Sequence, residues 1–244
     1  TTVTPIEYIG PVPTKKRKKP ALGGWVIMLL AGLFVTYFAW PTFAEYVFKS
    51  EQAPSDDNVR DAVTKLTDTN KYGDRLAAAA LERTTIDVVY DAAEYNNIGY
   101  PNGDIPAGRG TCTDLIIRTY RVLNIDLQQL IHEDMKAHFL RYPQLWDASQ
   151  PDSDIDHRRV PNIKRFFERR GTVLEPSRDS ADYTFGDIVI WRLPDGKAHI
   201  GIIVPGPDSH HDEKWVVHNI GKGPMWSDEL LDYEITGHFR YQGN

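Results

Sequence analysis

The chain has 244 residues, 28 Lys/Arg against 34 Asp/Glu, a net charge of −6 and a single cysteine, Cys112. Five of the basic residues and one acidic residue lie in the first 40, so the rest carries −10, which argues against a nucleic-acid partner. One cysteine excludes an intrachain disulfide framework. Residues 15–19 read KKRKK, and residues 21–40 follow without one charge. Twenty residues at about 1.5 Å each cover about 30 Å, the thickness of a bilayer core. Trp25, Tyr37 and Trp40 suit the interfacial aromatic belts, and the basic cluster predicts a cytoplasmic N-terminus. The reading is a basic cytoplasmic segment (1–20), a transmembrane helix (21–40), a linker (41–57) and an exported domain (58–244). A cleaved signal peptide is the competing reading, with Thr42-Phe43-Ala44 as a tolerable cleavage site.

Along the exported part, Ser55 can cap a helix through 67, with Val59, Ala62, Val63 and Leu66 at helical spacing. A second, alanine-rich helix is expected over 74–83, an extended stretch over 86–90, and a loop over 96–110. Helices follow over 111–123 and 126–141, then an irregular stretch over 142–160. Pro161 fits the first turn of a helix ending at Gly171. Residues 187–191, 199–204, 215–220 and 237–241 read as strands separated by turns. Helices first and a meandering sheet second predict an α+β domain.

Gly108-Arg109-Gly110-Thr111-Cys112-Thr113-Asp114 runs a glycine-rich loop into a thiol, and Leu115-Ile116-Ile117 follows. A cysteine opening a helix is favoured as a thiolate, which is the nucleophilic form. The alternative is a buried cysteine packing as a small hydrophobe. His199 lies on a strand whose Ile200, Ile202 and Val204 form an apolar face. His199 belongs to the other face, and Gly201 beside it leaves room for a neighbour. Such a histidine can take a thiol proton and pass it to a leaving amine. His218, near the end of the next strand, can orient His199. Asn219 is the less favoured candidate, because it points to the opposite face.

Four segments carry a resemblance: Gly110-Thr111-Cys112, Gly186-Asp187-Ile188-Val189, His199-Ile200-Gly201-Ile202 and Val217-His218. Together and in this order they resemble the NlpC-type papain-like cysteine peptidases. More closely, the chain resembles the YijF-like branch of exported bacterial proteins, a domain of unknown function. That likeness rests on 100–104, Cys112-Thr113-Asp114, 132–135, 156–161, 218–221 and Gly237-His238. The resemblance implies a papain-like fold, with the cysteine helix packed on an antiparallel sheet. It implies hydrolysis of amide bonds in peptidoglycan stem peptides, with Cys112 as nucleophile, His199 as base, His218 as orienter and the Cys112 N–H as an oxyanion donor. Better-known members carry Asp-Cys-Ser-Gly where this chain has Thr-Cys-Thr-Asp, and here 87 positions separate Cys112 from His199.

Asp114 either satisfies the helix start or meets a substrate amine. His157, Arg158 and Arg159 form either a solvated run or a cradle for stem-peptide carboxylates. Tyr100 can wall the cleft. His132-Glu133-Asp134 reads as an exposed helical face, and His210-His211-Asp212 as a flexible turn. No metal and no cofactor are expected. The expected protein is an inner-membrane, periplasm-facing cysteine peptidase or amidase, with stem peptides, the membrane and other envelope proteins as partners. The alternative is a non-catalytic envelope binding or assembly subunit of the same fold. Acyl transfer with lipid is a third, less favoured use of these residues.

Overall fold

The structure is a computed structural model that describes residues 54–243 and isolated positions 10, 28, 29, 34 and 37. The expected membrane span 21–40, the basic segment before it and most of the linker lie outside the described residues, apart from those isolated positions. Among the described residues no helix is long and apolar enough to cross a membrane. Ala53–Asn244 forms a compact unit of its own.

Helix α1 (Asp56–Thr67) starts at Ser55. The Ser55 hydroxyl accepts from the Asn58 N–H at 3.3 Å, and Asn58 Oδ1 accepts the Ser55 N–H at 2.9 Å. This reciprocal cap satisfies two donors that a helix start leaves open. Helix α2 (Tyr72–Glu82) buries Leu76 through Leu81, and its run of alanines lets the helix lie close to its neighbours. Helices α3 (Cys112–Val122), α4 (Leu127–His138) and α5 (Val160–Arg170) follow. Asp126 caps α4 through the Gln128 N–H, and α5 has proline in its first turn and stops at Gly171.

The sheet has six antiparallel strands. In chain order they are β3 (Thr172–Leu174), β4 (Ile188–Arg192), β5 (Ala198–Pro205), β6 (Lys214–His218), β7 (Met225–Ser227) and β8 (Glu234–Arg240); across the sheet they run β3-β8-β4-β5-β6-β7. A separate two-residue parallel ladder joins β1 (Val89–Tyr90) to β2 (Arg109–Gly110). The α+β class and the central strands are those expected from the sequence. Strand β2 falls in the stretch expected as loop, and β3 and β7 are additional, because three residues beside Gly171 or Gly223 are too few to show an alternation. The expected extended stretch at 86–90 keeps only its last two residues in a ladder, after a 3₁₀ turn at Arg83–Thr85.

Both faces of the sheet are covered. Ile188, Ile190, Ile200, Ile202, Val204, Val217 and Phe239 pack with the helices. Val189, Trp191, Ile203 and Val216 pack on the other side under Tyr183 and Leu230. The face that holds His199 is thus no open surface, which corrects the reading of β5 as apolar on one side only.

Gly186-Asp187 ties α2 to the sheet. Gly186 has φ +84, a conformation that L side chains rarely adopt, and a Cβ on it would collide with the Gly73 backbone of α2. Asp187 is buried. Its carboxylate accepts from Arg240 Nε at 2.7 Å and the Thr184 N–H at 2.9 Å, and lies 2.9 Å from His238 Nε2. Burial pushes the Asp187 pKa up, but the bonds from His238 and Arg240 outweigh it and hold the group ionised. Gly186→Ala is expected to destabilise the chain by about 2 kcal/mol or more through backbone strain and overpacking, read as a lower urea midpoint.

Candidate functional site

Cys112 is the first residue of α3 and is buried. The loop before it is held from several sides. Asp114 Oδ2 accepts the Thr111 N–H at 2.7 Å, and Asn219 at the end of β6 donates to the Gly110 carbonyl at 3.2 Å. Arg118 donates to the Arg109 carbonyl at 2.9 Å and to both oxygens of Asp104 at 2.8 and 2.9 Å. Asp114 and Arg158 form a buried pair, Nε to Oδ1 at 2.8 Å and Nη2 to Oδ2 at 3.2 Å. Arg158 also donates to the Ala93 carbonyl at 2.8 Å.

The thiol lies against the backbone of β5. The Ile200 N–H acts on the sulfur, and Ile200 is the residue after His199. On this stretch β5 has no β6 partner, since pairing with β6 begins at Gly201 opposite His218. That register puts His199 and His218 on one face, with His199 Nε2 2.9 Å from His218 Nδ1. His199 Nδ1 makes no hydrogen bond among the described residues, and none joins it to the thiol. The room beside Gly201 is taken by Trp191, whose ring atoms would lie 2.9 and 3.0 Å from a Cβ there. The indole stacks on His199 at 5.7 Å and 25°, and its N–H is held by the Leu230 carbonyl at 2.9 Å. Trp191 therefore fixes the plane of the His199 ring.

Electrostatics make the resting pair neutral. Burial pushes the Cys112 thiol up to about 12, with Asp114 adding to the rise and the N–H groups of Ile200, Thr113 and Cys112 opposing it. The helix start alone favours a thiolate, but burial wins. Burial and the charge of His218 push His199 down to about 3, against Glu229.

Asp114 and Arg158 spend their charges on each other and on backbone groups, so they shape the cysteine loop rather than offer themselves to a ligand. His157 is buried in a 3₁₀ turn, and burial pushes it down to about 4. Arg159 stacks over Trp146 at 4.2 Å and lies 3.6 Å from Asp156. Tyr100 packs edge-on against His132 of α4 at 4.9 Å. The tyrosine close to the thiol is Tyr90: its pKa is raised by burial and then by Cys112, and it pairs with Gly110 across the β1–β2 ladder. Asp134 is no part of an exposed face. It is buried between Arg169 at 2.6 Å and Arg170 at 2.7 Å and joins α4 to α5. His210 and His211 sit on an exposed turn, while His218 is committed to His199. Among the described residues no group of three or more His, Cys, Asp or Glu side chains could hold a metal ion. Trp191 and Tyr90 had no signal in the sequence, because each depends on a strand pairing.

Fold and site together define an α+β domain with a buried helix-start thiol beside paired strand histidines. The chain belongs to the family described as Domain of unknown function (DUF1287), whose model matches residues 77–241 and so spans the thiol and both histidines. It is 43% identical over 166 residues to Uncharacterized protein YijF of Escherichia coli (strain K12), covering 68% of this chain and 80% of that one. No solved structure matches.

Breaking a buried ion pair leaves one charge uncompensated. Asp114→Ala is therefore expected to cost about 3–5 kcal/mol in a urea titration, and the double variant with Arg158→Met less than the sum of the two. The pH dependence of stability tests the neutral histidine. The native state refuses a proton at His199 until about pH 3, whereas an unfolded histidine accepts one near pH 6.5. The unfolded state then binds more protons, so stability is lost as pH falls from about 6.5 towards 3. His199→Gln should flatten that slope by about 1.4 kcal/mol per pH unit between about pH 6 and 4.

Proposed function

We propose that this chain is a membrane-anchored cysteine peptidase or amidase of the bacterial envelope. In this reading it faces the periplasm and hydrolyses amide bonds of peptidoglycan stem peptides. The observation that carries it is the 2.9 Å contact of His199 with His218, on the strand whose next residue, Ile200, touches the Cys112 thiol. The NlpC-type, papain-like resemblance supplies the substrate class, and the uncharged segment 21–40 supplies the anchor.

Chemically, Cys112 Sγ attacks the amide carbonyl carbon while its proton passes to His199 Nδ1. His199 then protonates the departing amine nitrogen as the C–N bond breaks. Water, deprotonated by the same imidazole, hydrolyses the thioester and frees the thiol. Because thiol and imidazole both rest neutral, proton transfer accompanies attack, and no standing thiolate is required. The Cys112 N–H at the helix start can donate to the oxyanion. Catalytic hydrogen bonds are often long in the empty state and tighten with substrate, which accommodates the missing thiol–imidazole bond.

The raised thiol pKa and that same missing bond favour a second reading, a non-catalytic binding or assembly subunit. Incubating the full chain in detergent with muropeptides and resolving the products by mass spectrometry separates the two. Cleavage of a stem-peptide amide is expected, lost by at least about 10³-fold in Cys112→Ala and about 10²-fold or more in His199→Ala. Products that persist in Cys112→Ala, or no thiol-dependent cleavage under reducing conditions, would overturn the peptidase reading.

A further inference from the structure

For His199 to accept the thiol proton, its Nδ1 must be bare and its Nε2 must carry the hydrogen. His218 alone does not enforce this, because either ring can be the donor across their 2.9 Å contact. The chain of contacts continues past His218. Its Nε2 is hydrogen-bonded to Ser227 Oγ at 3.0 Å, at the end of β7, while Glu229 Oε2, two residues further on, lies 3.2 Å from the same nitrogen as a close charge, off the hydrogen-bond direction. The His218 side chain is 1% exposed, and Glu229 Oε2 is shut off from solvent.

The two partners differ in what they demand. A serine hydroxyl donates or accepts, so Ser227 fits either tautomer of His218. A carboxylate oxygen 3.2 Å from that nitrogen repels a bare lone pair there, so the charge of Glu229 favours a hydrogen on His218 Nε2. A neutral His218 is then left with a bare Nδ1, which accepts from His199 Nε2–H. His199 Nδ1 in turn keeps its lone pair. Without the carboxylate, Ser227 can turn its hydrogen towards His218 Nε2. Every hydrogen in the row then reverses, and one comes to rest on His199 Nδ1, where it blocks the base.

We propose that Glu229 is a positioning residue that fixes the tautomers of His218 and His199, leaving His199 Nδ1 as the basic nitrogen of the site. The inference rests on the reading of Cys112 and His199 as nucleophile and base, and it extends the row of contacts to a fourth side chain that touches neither the thiol nor a substrate.

Histidine ¹⁵N–¹H correlation spectra of the full, ¹⁵N-histidine-labelled chain in detergent micelles test it at neutral pH. The wild type is expected to show a bare Nδ1 on His199 and hydrogens on the Nε2 atoms of both rings. In Glu229→Ala a hydrogen should appear on His199 Nδ1 in a measurable fraction of molecules, while Ser227→Ala should keep the wild-type pattern. A hydrogen on His199 Nδ1 in the wild type overturns the proposal, as does an unchanged pattern in Glu229→Ala. If Glu229→Ala does not fold, Glu229→Gln replaces it: its amide can donate or accept, so mixed tautomers are expected and a single wild-type pattern overturns the proposal. None of these spectra needs a substrate. A chain that cleaves no muropeptide yet shows this tautomer pattern removes the peptidase reading and leaves the role of Glu229 standing.

Discussion

The pairing of Gly201 with His218 decides the geometry of the site. Side chains directly opposite on antiparallel strands share a face, so this register brings His199 and His218 to one side of the sheet. A slip by one residue would turn every β6 side chain over and set Val217, not His218, beside His199. The same register leaves the first residues of β5 without a neighbour on the β6 side, and there the Cys112 sulfur reaches the strand backbone. It also carries Asn219 off the end of β6 to the Gly110 carbonyl. One strand pairing thus joins both histidines to each other and to the loop that presents the thiol.

Burial then sets the protonation states. Cys112 packs with the helix-side core at the open edge of β5, and the His199 ring stacks on Trp191. Each group is kept neutral by the scarcity of water around it rather than by a strong partner charge. The charges close by are already engaged: Asp114 with Arg158, Asp104 with Arg118, Asp187 with His238 and Arg240. These pairs brace the loops and strands around the thiol, so polar residues near it are structural as often as they face the cleft.

Local patterns in the sequence were informative where the physics is local. Ser55, Asp126 and Pro161 marked helix starts because caps and first turns act within three or four residues. The alternation around His199 and the Gly-Asp step at 186–187 located the central strands. The pairing of His199 with His218 followed from their places on successive strands. What could not be read there depends on register or on distant segments. Tyr90 needs the β1–β2 ladder, Trp191 needs its pairing opposite His199, and Arg158 needs a loop 44 residues away to fold back on Asp114. His157, Arg158 and Arg159 looked like a solvated or anion-binding run because charge density in a sequence does not reveal whether charges are already spent.

The two ends of the sheet have a consequence of their own. Its border strands, β3 and β7, are three residues each, against eight for β5 in the interior. An open border is a template on which another chain can lay down a strand, and its hazard grows with the length of unpaired backbone it offers. Here an incoming strand would find only two or three backbone groups before the border ends. The longest and most apolar strands are sealed in the middle, so the fold resists growth by edge-to-edge addition.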